Sequence, residues 1–467
     1  GSALFGSSAI AGTINIITKE PMRNSGMLSH TITGIGDGDV FDNSTALNAS
    51  LVTDDQRAGL YIFGQNRHRS AYDHDGDGYS EIPKLHGQTI GFRSFLKTTT
   101  YSKLTFEYHH MEEFRRGGDL LNRPPHEANV AEQTEHSING GGLKFDYFSP
   151  NENHRFNVFA SAQHINRDSY YGPGDRDPLD AYGNTTDLNW MAGSQYVYSF
   201  GKCIFMPSDL TAGIEFNQDK LEDNMWGYNR TVDQKVNIGS AFLQNEWKND
   251  HWGFLIGGRL DKHNLIDHVI FSPRANLRYN PTENINLRFS YSSGFRAPQA
   301  FDEDLHVENV GGNVAMVELA DNLKEERSQS LSASADIYHR FGAFQVNFLV
   351  EGFYTKLSDV FALTDGEVVD GILTRTRHNA SGAQVLGLTL EGKMAYLNKI
   401  QVQAGVTLQQ SHYSKPHIWN KEAPAVKKMM RTPNTYGYFT ATYTPIKPLS
   451  IALSGTYTGS MLVPHEP

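Results

Sequence analysis

Apolar and polar residues alternate along most of the chain with a period of two. The pattern is plainest at 285–292 (INLRFSYS), 344–351 (FQVNFLVE) and 400–409 (IQVQAGVTLQ). A period of two places successive side chains on opposite faces of a β-strand. Because the polar set contains many Gln, Asn, Arg and Glu residues, we expect it to line a wide, water-filled interior. The alternative, a soluble β-sandwich with one solvated face, would need an unusual length and number of strands.

The connections between these segments alternate between short turns and long polar loops. The short turns fall at 149–153, 248–250, 280–284, 397–399 and 444–448. The long loops fall at 68–86, 112–134, 168–186, 220–234, 295–326, 365–382 and 412–432. Tight turns at one end and long loops at the other are typical of transmembrane antiparallel β-barrels. We therefore predict such a barrel, with a closed and tilted wall over residues 24–459.

The number of strands also carries a prediction. The alternation gives roughly nineteen strands. An odd number that ends on the loop-like segment 459–467 (GSMLVPHEP) indicates that the last strands of the barrel are missing. We therefore expect a gap in the wall beside the first strand, near residues 25–35.

Composition fits a barrel and excludes several other classes. The mean hydropathy is −0.48, and no apolar run is long enough for a membrane-spanning helix. A barrel nevertheless averages to such a value, because lipid-facing and interior residues alternate. The 22 Tyr, 26 Phe and 5 Trp residues can supply the aromatic girdles of a barrel. A net charge of −11 argues against nucleic-acid binding, and the single Cys203 excludes an intrachain disulfide.

Three segments resemble TonB-dependent receptors of bacterial outer membranes. Residues 1–21 (GSALFGSSAIAGTINIITKEP) are similar to the last part of that family's plug domain, where a small-residue turn precedes a strand. Residues 293–307 (SGFRAPQAFDEDLHV) are similar to its Phe-Arg-Ala-Pro box, at which a strand enters a large external loop. Residues 321–326 (DNLKEE) are similar to the segment that opens the next strand, although Ala320 and Glu325 stand where prolines are usual.

The resemblance implies an all-β fold, a location and a set of partners. Residues 1–21 would end a plug domain, and residues 22–467 would form an outer-membrane barrel without its last strands; complete family members have about 22 strands. The implied function is import of a chelated metal nutrient by a receptor that is not an enzyme. A ferric siderophore is the first expectation for the ligand, followed by haem or cobalamin. The expected partners are TonB, through the missing N-terminal part, a surface lipoprotein, membrane lipid and lipopolysaccharide. The basic run 427–431 (KKMMR) would meet lipopolysaccharide or a ferric siderophore.

Three other functions stay open from the sequence alone. A barrel enzyme would need a Ser–His or Asp–His pair at strand ends, and the chain has 19 His residues. A passive porin has no plug, so the segment 1–21 argues against it. A glycan importer with a lipoprotein lid is usually a far larger chain.

The segment 72–81 (YDHDGDGYSE) carries the sharpest local motif. Asp73, Asp75 and Asp77 alternate and are interrupted by glycine, as in the first half of a calcium-binding loop. Lys84 stands where such a loop usually has its bidentate Glu, so we expect Glu81 to be the fourth ligand. The sequence thus predicts a structural calcium ion, while no cofactor is required for function.

The acidic segment also has a simpler interpretation. Arg67 and Arg69 lie close to it in sequence and could neutralise the carboxylates without a metal ion. The segment would then be a solvated hairpin loop.

The candidate ligand-binding residues all lie in long loops. Arg296 and His306 follow the Phe-Arg-Ala-Pro box, and an imidazole there could be an axial ligand of haem iron. Tyr170, Tyr171 and Trp226 offer aromatic rings that can contact a flat chelate or macrocycle. The same rings could instead pack the loops against one another.

Overall fold

One large antiparallel sheet forms the wall of the molecule. The computed structural model describes residues 10, 20–36, 38–173, 181–305, 308–310, 313–369, 372–418 and 424–463. Its strands, in chain order, are β1 (Ser25–Ile35), β2 (Val40–Val52), β3 (Ala58–Arg69), β4 (Ser80–Thr99), β5 (Ser102–Gly118), β6 (Val130–Phe148), β7 (His154–Pro173), β8 (Tyr182–Cys203), β9 (Met206–Met225), β10 (Arg230–Lys248), β11 (Trp252–His263), β12 (Ile270–Thr282), β13 (Ile285–Arg296), β14 (Glu308–Val310), β15 (Asn313–Leu319), β16 (Glu326–Phe341), β17 (Phe344–Ser358), β18 (Phe361–Val369), β19 (Ile372–Asn379), β20 (Ala383–Tyr396), β21 (Ile400–His417), β22 (Val426–Lys428), β23 (Thr435–Ile446) and β24 (Leu449–Thr458).

Each wall strand pairs with its neighbours in the chain. The order runs from β1 to β13 and continues through β16, β17, β20, β21, β23 and β24, with the short β22 beside β21. These are nineteen long strands and one short one among the described residues, so the predicted number is confirmed. Helical structure in the described ranges is limited to single turns at Pro125–Glu127, Trp226–Tyr228 and Asp302–Leu305. None of these could span a membrane as a helix.

The two ends of the sheet do not pair with each other. Within the described residues, β1 is hydrogen-bonded to β2, and β24 is hydrogen-bonded to β23. The gap that we expect beside the first strand is therefore observed. The prediction of a closed wall over residues 24–459 is wrong in this respect, because backbone pairing does not join β1 to β24 among the described residues.

The expected plug remnant lies almost entirely outside the described residues. Of residues 1–21, only Ile10, Glu20 and Pro21 are described. The Glu20 carboxylate forms an ion pair with Lys103 of β5. Lys103 alternates with the outward-facing Leu104 and Phe106, so this contact lies on the inner face of the wall.

The two faces of the wall have the predicted polarity. Outward positions carry large apolar side chains that are well exposed, among them Ile214, Leu243, Ile256, Phe271 and Leu453. On the inner face, charged groups pair across strands, and Arg259 bonds Glu215 at 2.6 Å and Asp261 at 2.8 Å. An apolar exterior with an ionic interior is the reverse of a soluble sandwich, and it suits a hydrocarbon surround.

Aromatic rings gather near the short turns. Trp252 stacks on Tyr279 with ring centroids 4.1 Å apart, and Phe344 lies 4.5 Å from Tyr396. Both pairs are next to short turns between wall strands, where an apolar belt would meet headgroups and water. Amphipathic rings favour such an interface, so these pairs agree with the expected girdle.

Many strands are longer than the sequence pattern predicts. β8 has 22 residues and β9 has 20, whereas about 9–11 residues suffice to cross a membrane. The predicted loops 112–134 and 220–234 shrink accordingly to 119–129 and 226–229. Beyond the apolar belt both faces contact water, so the alternation of polarity ends. The backbone ladder does not need that alternation and continues.

A second sheet stands among the long loops. β14, β15, β19 and β18 are paired in that order, and β15 runs parallel to β19 from Val314–Ile372 to Leu319–Arg377. The first pair of strands comes from the connection after β13, and the second pair from the connection after β17. Two segments that the sequence predicts as irregular loops are thus joined by backbone hydrogen bonds.

Gly213 tests the packing of the inner face. A Cβ at this position of β9 would overlap the buried ring of Phe242 and lie 2.9 Å from the carbonyl oxygen of Ser194. Since overpacking typically costs about 1–3 kcal/mol, Gly213→Ala should lower the melting temperature of the barrel in detergent. Gly239→Ala in β10 is the control, because its Cβ would meet nothing within 4 Å. Equal melting temperatures for the two variants would contradict this packing.

Candidate ligand-binding site

The long loops converge on an apolar core at one end of the barrel. Its buried members come from the ends of three connections and from the loop sheet: Ala131, Tyr170, Tyr171, Ala181, Met225, Tyr228 and Met316. Ala128, Tyr182 and Ile372 pack against them. This core holds the loops together above the wall, where side chains of distant strands can meet.

Tyr170 and Tyr171 belong to this core. Their exposed fractions are 2% and 6%, and the Tyr170 ring packs edge-on to Tyr182 at 4.9 Å. The Tyr228 hydroxyl donates a hydrogen bond to the carbonyl oxygen of Tyr171. In the arrangement seen here, both tyrosines stiffen the loops and neither presents its ring to solvent.

Trp226 is placed quite differently. It opens the single turn Trp226–Tyr228 between β9 and β10, and it is 64% exposed. Asn229 ends this turn with φ of 48°, a left-handed conformation that Asn tolerates better than most residues. The indole is therefore largely accessible to solvent.

A buried polar network lies beside the apolar core. Asp223 of β9 accepts a hydrogen bond from the Thr185 hydroxyl at 2.5 Å and is 3.4 Å from a guanidinium nitrogen of Arg230. Arg167 of β7 contacts the same carboxylate at 3.8 Å. A buried carboxylate is tolerated only with such partners, so the sequence places two arginines and a hydroxyl around it.

The network continues into the loop that follows β13. Arg230 donates to the carbonyl oxygen of Asp304 at 2.8 Å. The Asp304 carboxylate pairs with Arg377 of β19 at 2.5 Å and also accepts the backbone N–H of Phe301 at 2.8 Å. Asp304 and Arg377 are both buried. One aspartate therefore connects the wall at β10, the short helix Asp302–Leu305 and the loop sheet.

Arg296 stands at the edge of this network. Its guanidinium carbon is 3.8 Å from the centroid of the Phe301 ring and 5.6 Å from that of Phe361, and the group lies 4.0 Å from Glu326. Arg377 lies 5.9 Å from both rings. Two guanidinium groups and two phenyl rings thus share one region, an arrangement of the kind that binds planar anions.

Charged side chains hold the end of the connection between β13 and β16. Glu325 accepts a hydrogen bond from Arg327 at 2.7 Å and is 3.1 Å from His268. Burial alone would raise the pKa of Glu325, but the hydrogen bond and charge of Arg327 outweigh it and leave that pKa below its usual value. The carboxylate that replaces the family's usual proline therefore anchors this end of the loop.

Sequence reasoning identified some of these residues and missed others. His306, the expected haem ligand, lies outside the described residues. Arg230, Asp223 and Arg377 were not singled out, because other partners of theirs, Thr185 and Asp304, are distant in sequence. The alternate arginines at 375 and 377 in ILTRTRHN could have indicated a strand with a positively charged face.

The acidic segment forms the cluster that its spacing predicts. One carboxylate oxygen from each of Asp73, Asp75, Asp77 and Glu81 lies within 4.8 Å of the others. Asp73 accepts the backbone N–H groups of Gly76 at 2.7 Å and Gly78 at 2.9 Å. Both glycines have positive φ, 77° and 92°, which lets the backbone turn tightly around the carboxylate. The donor set is oxygen only and fits a hard cation such as calcium.

The two arginines that could have neutralised this cluster are engaged elsewhere. Arg67 forms a two-pronged ion pair with Asp42, at 2.5 Å for its shortest contact. Arg69 donates to the carbonyl oxygen of Pro83 at 3.1 Å and 3.0 Å. The simpler interpretation, a loop neutralised by arginine, is therefore not supported by the geometry.

Comparison with known proteins gives a family and a fold. The sequence pattern of the family described as TonB dependent receptor-like, beta-barrel, matches residues 30–463. No curated protein matches the chain in sequence. Likeness to solved structures is clear but distant, at 13–14% identity in the three cases below, and such a likeness shows the fold alone.

Three of these structures illustrate the likeness. The siderophore receptor PirA from Pseudomonas aeruginosa has a TM-score of 0.75 at 14% identity, over 97% of this chain and 76% of that chain. The ferric-catecholate import receptor Fiu from Escherichia coli K12 has a TM-score of 0.72 at 13% identity, over 98% and 74%. A mutant of the ferric enterobactin receptor PfeA from P. aeruginosa, in complex with enterobactin, has a TM-score of 0.70 at 14% identity, over 97% and 78%.

The family match covers most of the wall and agrees with the strand order, the polarity of the two faces and the loop-bearing end. Its members are outer-membrane receptors that act in transport and are not enzymes. The chain belongs to the TonB-dependent receptor β-barrel family.

Proposed function

We propose that this protein is a receptor for a ferric siderophore, which its extracellular loops capture for TonB-driven import. The observation that carries the proposal is the shared position of Arg296, Arg377 and two phenyl rings beneath the converging loops. Ferric siderophores present planar, oxygen-rich and often anionic faces. A guanidinium group matches such a face with paired hydrogen bonds, and aromatic rings match it by stacking.

Side chains on the loops would capture the ferric siderophore, and movement of the plug would release it. Trp226 would make the first contact, because it is the exposed ring in this region. The arginines of the buried network would then be reached by movement of the short helix Asp302–Leu305, whose Asp304 already occupies Arg230 and Arg377. TonB would act through the plug and open a path along the ionic inner face.

Haem and cobalamin remain alternative ligands. Haem would need an axial ligand such as His306, whose position is not described. Cobalamin would be favoured by an external calcium site, which is the property we propose below for the acidic loop.

Ligand identity can be tested by calorimetry of the purified receptor against ferric enterobactin, haem and cyanocobalamin. We expect the ferric siderophore to bind most tightly. Trp226→Ala should weaken that binding about two- to tenfold, the usual magnitude for one aromatic contact. Trp252→Ala is the control, because Trp252 lies by a short turn at the opposite end. Binding of haem or cyanocobalamin alone would overturn the proposal.

The buried pair Asp304–Arg377 gives a second test. Arg377→Met leaves a buried carboxylate without this partner, which typically costs about 3–5 kcal/mol. Amide exchange should then rise over 301–305 and 372–379, and siderophore affinity should fall at least tenfold. Asp304→Asn combined with Arg377→Met should restore part of the protection. Arg375→Met is the matched control, since the Asp365 partner of Arg375 is exposed. Equal exchange in both arginine variants would contradict the role of the pair.

We also propose that the acidic cluster binds calcium and stiffens its loop. Calcium should raise the melting temperature of the wild type, by an amount that corresponds to about 2.7 kcal/mol at a hundredfold excess over Kd. Asp75→Ala should abolish the increase, and Asp39→Ala, in the neighbouring exposed loop, should retain it. A melting temperature that a chelator does not change would leave only a solvated loop.

A further inference from the structure

A row of outward-facing positions crosses five wall strands. Its outer positions carry large side chains, and two neighbouring positions within it carry only Ala and Gly. The register pairs Phe289 with Ala333, Ala333 with Gly352, Gly352 with Leu388, and Leu388 with Leu408. Phe289 and Leu408 are each 47% exposed, so the row lies on the outer surface. Because its centre has almost no side chains, a groove of about 740 Å³ runs across the wall.

The groove has an open floor and apolar sides. A Cβ at Gly352 would meet nothing within 4 Å. The adjoining row, Leu331, Tyr354 and Leu386, stands beside it with exposed side chains. A barrel surface filled evenly with Leu and Val would have no such channel. The groove can therefore hold a thin apolar chain in contact with several side chains at once.

The groove rises toward the extracellular rim. Phe289 lies close to Ile285, which begins β13 after a short turn, whereas Leu408 pairs with Thr435, the first residue of β23 after a long loop. Four inter-strand steps of about 4.8 Å make it about 19 Å long. One leaflet of a hydrocarbon core is about 15 Å thick, so a tilted groove of this length matches one acyl chain.

Polar and basic groups stand at its upper end. The Tyr354 hydroxyl donates to Gln384 at 3.3 Å, and the Gln384 amide contacts His412 at 2.8 Å. His412 is the cross-strand partner of Lys428. Lys428 has no ion pair within the described residues. A positive charge and hydrogen-bonding groups thus lie where an apolar chain in the groove would reach water.

We propose that this groove is a binding site for one outer-leaflet lipid, with an acyl chain along Ala333 and Gly352 and a phosphorylated headgroup at Lys428. The groove is continuous with the membrane-facing surface of the barrel, which identifies its occupant as a lipid. The groove lies on the outer surface of the wall, whereas the proposed siderophore contacts lie among the loops, so it does not depend on the identity of the siderophore.

The test uses the delipidated full chain in detergent and native mass spectrometry. The probes are dimyristoyl phosphatidylglycerol, dimyristoyl phosphatidylcholine and inorganic phosphate. We expect the wild type to retain one phosphatidylglycerol in preference to phosphatidylcholine. Gly352→Leu should lower the lipid-bound fraction at least fivefold, and Ala333→Leu should do the same from the neighbouring strand. Lys428→Gln should remove the preference between the two lipids.

Gly392→Leu is the matched control. Gly392 lies on the same face of β20 below Leu388, and its Cβ would also meet nothing within 4 Å, but it does not line the groove. This variant should bind lipid like the wild type. Equal lipid binding by Gly352→Leu and the wild type would overturn the proposal. Two other results would also overturn it. One is a dimer that Gly352→Leu abolishes, which would make the groove a contact between two copies of the chain. The other is full competition by inorganic phosphate, which would show that the acyl chain is not bound.

Discussion

Backbone hydrogen bonds between neighbouring antiparallel strands are the interaction on which the rest of this structure depends. Hydrocarbon offers no partner to an N–H or C=O group, so a chain that crosses a membrane as strands must satisfy these groups through adjacent strands. The register does this for the long wall strands from β2 to β23, each of which is paired on both sides. Side chains are then free to be apolar outside and ionic inside, as at Ile214 and Arg259.

The same backbone pairing also extends beyond the apolar belt and supports the loops. Strands such as β8 and β9 continue well past the apolar belt, because pairing does not require a lipid face. The extracellular ends of β7 and β9 carry Tyr170 and Met225 of the apolar core. The parallel pairing of β15 with β19 then joins two connections that would otherwise move independently.

The sequence allowed much of the wall to be predicted, and few of the contacts between the loops. The strand number and the polarity of the faces follow from a period of two, which each strand carries in its own residues. The acidic cluster is also local, since Asp73 to Glu81 fold back within one loop. The pair Asp304–Arg377 and the burial of Tyr171 arise between connections far apart in the chain. No periodic pattern records such contacts, and the sequence therefore predicted irregular loops there.

The buried ion pair Asp304–Arg377 matters more for positioning the short helix than for the stability of the fold. Removing two charges from water costs several kcal/mol for each ion, so a pair such as Asp304–Arg377 adds little net free energy of folding. What it does is restrict geometry. The Asp304 carboxylate accepts the N–H of Phe301 and pairs with Arg377, and its backbone carbonyl accepts from Arg230, so three contacts hold the short helix in place. The pair therefore serves to hold the short helix against the loop sheet.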